Sequence, residues 1–242
     1  MPGRVRSFVA AMAVVVVAVI GPIFGEATRL APPSAAAQSA PYFTQGTPGC
    51  MQVALIFNVG AGYTPATSVF DTLGAYGVPA TFFVMGWLAD QNPYLVQQMS
   101  WYGPVGSHGD VPPELTTRSD DDVAWDIGAS TTAITNALGY APSPIFTGFG
   151  GATDDRVRWI AANQGYTTIG WGVESSDWTW DATADSVYAN VMDNVYDGAI
   201  VELHMDSPTS TWSTATALPW IISDLQARGY TLVSVPTMMA GC

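Results

Sequence analysis

Residues 52–86, QVALIFNVGAGYTPATSVFDTLGAYGVPATFFVMG, read as strand, helix and strand in succession. Gln52 to Asn58 is a short run of β-formers of the length and composition of a buried strand. Thr64 then offers an N-cap and Pro65 a first helical position, with apolar Val69, Phe70, Leu73 and Tyr76 at i, i+1, i+4 and i+7. Gly77 closes the helix, and Ala80 to Gly86 returns to β-formers.

The same alternation runs to the end of the chain. A helix opening at Asn92-Pro93 carries Leu95, Val96, Met99 and Tyr102 on one face and leads to a short strand, Pro104 to Ser107. Ser119 and Asp122 form a cap-like pair before a helix with Val123, Ile127, Ile134 and Leu138 turned inward. SPIFTG (143–148), a helix from Asp155 to Gln164 and TTIGWGV (167–173) repeat the unit. Helices from Asp185 to Tyr196 and from Leu218-Pro219 to Arg228 precede the strands GAIVELH (198–204) and YTLVSV (230–235). Seven apolar strands in βα rhythm predict a mostly parallel sheet buried on both faces, in a barrel rather than an open sheet. Sites in parallel barrels sit past the C-terminal strand ends, here Asn58, His108, Thr147 to Gly151, Asp177 and His204.

Composition narrows the partners. From Pro41 onward the chain holds four Arg against nineteen Asp and Glu, a balance that repels phosphate backbones and anionic headgroups. Nucleic acid and the membrane surface are thereby disfavoured, whereas neutral sugars remain open. The N-terminus has Arg4 and Arg6, an apolar run from Phe8 to Val19 and the breaker pair Gly21-Pro22. This is the pattern of a signal peptide over 1–37, with cleavage near Gln38 or, earlier, after Gly25-Glu26-Ala27. An uncleaved anchor is the alternative, although the run is short for a span and no stable membrane span is expected after cleavage. Residues 38–48 are expected to be a flexible tether and 49–242 one domain. The only cysteines, Cys50 and Cys242, stand at the two ends of that domain and predict a disulfide in an oxidising compartment.

Both histidines of the chain fall in the strand-end set, together with Asp177 and Trp178. A carboxylate beside an imidazole fixes its tautomer and raises its pKa, as a general acid requires. Two structural histidines are the alternative on these residues alone. Strand period places Glu202 on the face of His204, toward the interior, so its carboxylate should find His204 or a hydroxyl unless a bulge turns it to solvent.

VPATFFVMG (78–86) followed by NPYLVQQM (92–99), GWGVESSDWTW (170–180), AIVELHMD (199–206) and the ending TALPWIISDLQARGYTLVSV (216–235) resemble the NodB-homology domain of carbohydrate esterase family 4. The resemblance runs from Met51 to Val235 and implies a distorted (β/α)₇ barrel. Active members of that family remove acetyl groups from N-acetylated sugars with a divalent metal such as zinc, held by one Asp and two His. The motif that supplies base and metal-binding carboxylates reads IFNVG here, so Asn58 takes the base position and Val59 the metal position. The two-histidine motif matches SHGDVPP, which keeps His108 and puts Pro112 in place of the second ligand. The arginine that orients the base is matched by Thr147 in FTGFGG. Asp177, Trp178 and His204 match the retained acid-tuning Asp, pocket Trp and catalytic acid.

The resemblance therefore implies a deacetylase fold whose metal site is dismantled and whose cofactor is none. Restoring Asn58→Asp, Val59→Asp and Pro112→His is expected to rebuild the ligand set without touching the core. A replacement site from His108, Asp110 and Glu114 would be weak and oxygen-rich. The leading expectation is an exported, monomeric, non-catalytic binder of N-acetylated glycans, with Trp178, Trp180 and Trp212 available for stacking. A hydrolase of residual or altered activity built on His204 and Asp177 is the second. A structural envelope protein, which predicts a filled cleft, is the third.

Overall fold

The computed structural model describes residues 39–62 and 64–242. The expected signal peptide lies outside the described residues. Nine short strands form the sheet: β1 (Tyr42–Phe43), β2 (Gln52–Val59), β3 (Thr81–Val84), β4 (Val105–Ser107), β5 (Ile145–Phe146), β6 (Thr167–Ile169), β7 (Val173–Glu174), β8 (Ile200–His204) and β9 (Thr231–Leu232). They run in the order β1-β6-β5-β4-β3-β2-β8-β7, with β9 on β2, and every strand pair is parallel. Eight of them fall in the seven expected strand segments. TTIGWGV divides into β6 and β7, and β1 is additional.

The segment expected to be a flexible tether is instead part of the fold. Tyr42 and Phe43 pair with Thr168 and Ile169, Ala40 is buried, and Gln45 makes an antiparallel bridge to Ala199. Backbone donors with ladder partners cannot belong to a free linker. Because β1 lies beside β6 while Gln45 reaches the start of β8, this segment spans the gap between the two ends of the curled sheet.

Strand alternation separates two cores. Val53, Leu55, Phe57 and Val59 of β2 face outward into the layer beneath the helices, with Val84, Leu88, Val201 and Leu203. Ala54 and Ile56 face inward with Phe83, Ile145, Ile169 and Ile200. A third cluster, including Ile127, Phe146, Val157 and Tyr166, lies between the long helix Asp120–Leu138 and the helix Asp155–Asn163. Ser119 and Asp154 cap those helices through Asp122 N–H and Val157 N–H, and the acidic runs beside them occupy first turns, where the helix dipole favours them.

Helix boundaries differ from expectation where tertiary contacts compete with local signals. The first helix spans Ser68–Tyr76 rather than starting at Pro65, because Ala66 N–H donates to Met205 O (2.7 Å). The helix expected from Leu218 spans Ser213–Ala227 and contains Pro219. A short helix, Gly86–Gln91, is additional, as is Val235–Met239, which puts Val235 and Met238 into the inner cluster. Among the described residues no helix is long and apolar enough to cross a membrane.

Candidate functional site

Asn58, at the end of β2, pairs in register with His204, at the end of β8, so both side chains turn to the interior at one mouth of the curled sheet. The loop after β2 is clamped there by Asp206, whose Oδ2 accepts from Gly60 N–H (2.7 Å) and Gly62 N–H (3.2 Å). The absence of a side chain is required at both glycines. A Cβ on Gly60 would meet Met85 Cγ at 2.3 Å, and one on Gly62 would meet Asp206 O at 2.0 Å.

His204 lies between two carboxylates. Its Nδ1 is 2.8 Å from Asp177 Oδ1 and its Nε2 is 3.2 Å from Glu202 Oε1, while its backbone N–H donates to Asp177 Oδ2 (2.7 Å). The Thr214 hydroxyl also donates to Asp177 Oδ2, which completes a buried, fully engaged carboxylate. The expected interior position of Glu202 holds: it is 2% exposed, and its Oε1 also accepts from Asn58 Nδ2 (3.3 Å). Glu202 Oε2 and Asn58 Oδ1 are buried without a hydrogen-bond partner.

The two histidines are in opposite states. Burial alone would lower the His204 pKa, but Glu202 first and Asp177 next override it and hold it up at about 9. Both ring nitrogens therefore carry protons at neutral pH and donate to the two carboxylates. His108 is buried, and burial first and the His204 charge second bring its pKa down to about 3. Its Nδ1 lies 3.1 Å from Thr147 O, so that nitrogen bears the proton and Nε2 the lone pair. Glu202 is pushed up to about 7, chiefly by burial and further by Asp177 and Glu174, against the pull of His204 and Asn58.

The signs follow by linkage. The raised pKa of His204 contributes stability that is present below its ordinary 6.5 and is lost as pH rises through about 9. Ionisation of Glu202 works in the same direction between its ordinary 4.5 and about 7, whereas His108 opposes protonation as pH falls from 6.5 toward about 3. Imidazole NMR titration should show His204 as imidazolium through neutral pH and His108 as the Nδ1–H neutral tautomer down to about pH 5, well above its lowered pKa. A His204 midpoint near its ordinary 6.5, or a His108 that protonates at that same ordinary value, would contradict this wiring.

A cleft of about 350 Å³ opens over these groups. Asn58, His108 and Glu202 are its buried members, and Phe149, Trp171 and Trp178 line it as partly or largely exposed aromatics. Trp178 Nε1 donates to Glu174 Oε1 (3.3 Å), which fixes the indole at the cleft edge. Trp180 is 90% exposed and does not line the cleft, a correction to its expected role; Trp212 does not line it either. Thr147 contributes its carbonyl to His108, not a side chain to the cleft. The Trp171, Glu174 and Asp206 contributions are not evident in the sequence. Trp171 lies just past β6, where the strand-end rule applied to the half-strand TTI would have found it.

The family's metal does not fit the residues present. Val59 is fully buried in the outer apolar layer and Pro112 is exposed and outside the cleft, so of the three ligand positions only His108 offers a donor, its Nε2. Restoration at Val59 therefore does touch the core, contrary to the sequence expectation. Asp110 lies outside the cleft, and its backbone N–H is held by Asp126 Oδ1 (2.7 Å), so it does not join His108 and Glu114 as a ligand set. Among the described residues, Asp177, Glu202 and His204 bring ligand atoms within 4.8 Å of one another, but Asp177 and His204 are already engaged with each other.

The sequence model of the polysaccharide deacetylase family matches residues 45–169, just over half of the chain. The chain belongs to this family. It is 28% identical over 188 residues to the peptidoglycan-N-acetylglucosamine deacetylase of Bacillus cereus, covering 77% of this chain and 68% of that protein. It is 32% identical over 185 residues to the peptidoglycan-N-acetylglucosamine deacetylase of Listeria monocytogenes, covering 76% of this chain but only 38% of that one. Among solved structures it is similar to a carbohydrate esterase family 4 pseudoenzyme from Bacillus anthracis, at 28% identity and a TM-score of 0.76, over 83% of this chain and 69% of that chain. A mutant of that pseudoenzyme with restored enzymatic activity aligns equally well. The fold is thus the distorted (β/α)₇ barrel of the deacetylases.

Proposed function

We propose that this polysaccharide deacetylase family member is a non-catalytic binder of the amino-sugar glycans on which the family acts, and that it works outside the cytoplasm. One observation carries the reading: at the position of the family's base stands Asn58, whose amide donates to Glu202 instead of accepting a water proton. An amide is no base at neutral pH, and the neighbouring metal position, Val59, is spent on the apolar layer. No metal cofactor is therefore proposed. The open cleft with its aromatic lining supports binding and speaks against a purely structural role, which would fill it. The N-terminal apolar run and the Cys50–Cys242 disulfide support export.

Calorimetric titration with chitin- and peptidoglycan-derived oligosaccharides, together with metal analysis of the purified protein, tests the reading. Saturable binding without stoichiometric metal is expected; stoichiometric zinc, or no binding to either glycan, would overturn it. Finding the protein retained in the cytoplasm would overturn the export.

Residual hydrolysis is a second reading, favoured by one feature. Glu202 stands within reach of Asn58 and carries a raised pKa, so it could take a proton from water while His204 protonates the leaving amine. Metal-independent acetate release that disappears in Glu202→Gln would establish this reading over the first.

A further inference from the structure

At the base of the cleft two buried side-chain oxygens lack a hydrogen-bond partner, and both accept once Glu202 is ionised, above about 7. Glu202 Oε2 and Asn58 Oδ1 are buried without partners, each on a residue that is 2% exposed and lines the cleft. His108 presents a lone pair at Nε2, because its Nδ1 proton is directed to Thr147 O. The charge balance is also one-sided. His204 is flanked by Asp177 and Glu202, and Glu114 and Glu174 add two more carboxylates to the lining. Among the described residues no arginine answers them: Arg118, Arg156, Arg158 and Arg228 are engaged with Asp126, Asp120, Asp155 and Met192 O, and none lines the cleft.

Unsatisfied buried acceptors select a ligand that brings donors. An N-acetyl group brings one N–H and a carbonyl, and that carbonyl would face further acceptors. A primary ammonium brings three donors and a positive charge, and it suits the neighbouring faces of Trp171, Trp178 and Phe149. Resting on the glycan-binding reading, we propose that the cleft recognises the free-amine form of the amino sugar, the glucosaminium unit left after deacetylation, in preference to its N-acetylated form. The side chains responsible are Glu202 and Asn58 at the base, with Glu174 and the aromatic lining around them.

The proposal is tested by calorimetric titration of the full protein with glucosamine pentamer and with its N-acetylated counterpart at about 150 mM salt, which screens diffuse attraction to the acidic surface. The glucosamine oligomer is expected to bind about tenfold tighter or more, the scale of one buried acceptor satisfied against one left unpaired. Glu202→Gln should erase most of that preference, read as the ratio of the two affinities measured on the same variant. Asp121→Asn, an exposed charge change outside the cleft lining, should leave the preference intact. Equal or tighter binding of the N-acetylated pentamer would overturn the amine selectivity while leaving the glycan-binding reading standing. Binding of neither oligomer would overturn both. An equal loss in Asp121→Asn would assign the preference to overall charge and overturn the proposal. So would zinc alone saturating the protein and blocking the sugar.

Discussion

Replacing Cys50 with serine is expected to lower the unfolding free energy by up to ~5 kcal/mol, the upper bound of the chain-entropy model for a loop of this length. The bridge to Cys242 joins residues 192 apart, with Cα atoms 5.8 Å from each other, and so ties the two ends of the domain together. It holds the C-terminal helix Val235–Met239, whose Val235 and Met238 plug the inner cluster, against the start of β2. Around it, Asp197 accepts from Gly49 N–H and Gln52 N–H, and Thr231 N–H donates to Met51 O (2.8 Å). These bonds keep the region native-like once the disulfide is gone, so the helix should fray before the sheet melts. Gln52 and Asn58 lie at opposite ends of β2, about 20 Å apart at ordinary strand rise, so glycan binding should survive the change. Denaturant melts of the oxidised, reduced and Cys50→Ser proteins measure the effect, with hydrogen exchange for the helix. Coincident midpoints, or two free thiols in a non-reducing peptide map, would refute the expectation.

The seven-strand rhythm was legible because buried parallel strands are near-continuous apolar runs and helices such as those opening at Asn92-Pro93 and Ser119 carry their own start signals. What escaped was structure created by partners distant in sequence. β1 is two residues long, and nothing in Tyr42–Phe43 marks it as a strand; its register comes from Thr168 and Ile169. Thr64-Pro65 has the chemistry of a helix start, but Ala66 is committed to Met205, and the helix begins only after that bond.

The site shows the same division. Asn58, His108, Asp177 and His204 followed from the rule that strand ends carry chemistry, and Glu202 followed from strand period. Val59 illustrates a conflict between two kinds of reading. Family motif matching placed it in the metal site, whereas the period that turns Asn58 inward turns its neighbour outward, and the structure follows the period. Asp206 became visible only when β8 and the loop after β2 were brought together, since its partner Gly60 is 146 residues away, whereas Glu174 bonds Trp178 only four residues on.

Acetate release from N-acetylglucosamine oligomers is expected to stay at background in the unmodified protein and also in the triple variant Asn58→Asp, Val59→Asp, Pro112→His. The triple exchange restores the family's residue types, but their surroundings in this chain oppose the metal site. The carboxylate introduced by Asn58→Asp would face Glu202, whose Oε1 now lies 3.3 Å from the Asn58 amide, and two carboxylates that close retain a proton between them. The base would be partly disabled as it was introduced. At Val59 a carboxylate would enter a fully buried apolar layer, at a cost of about 3–5 kcal/mol for a charge left without a partner. A histidine at the exposed position of Pro112 starts outside the cleft, on a loop whose preceding residues Asp110 and Val111 are tied to Asp126 by their backbone N–H groups. Adding Glu202→Leu removes the competing carboxylate but leaves the obstacles at Val59 and Pro112, so release is expected to stay at background in this fourfold variant too. Release by the unmodified chain would defeat the non-catalytic reading. Metal-dependent release by the threefold or the fourfold variant would show instead that the surroundings of these positions are no obstacle to the family's chemistry.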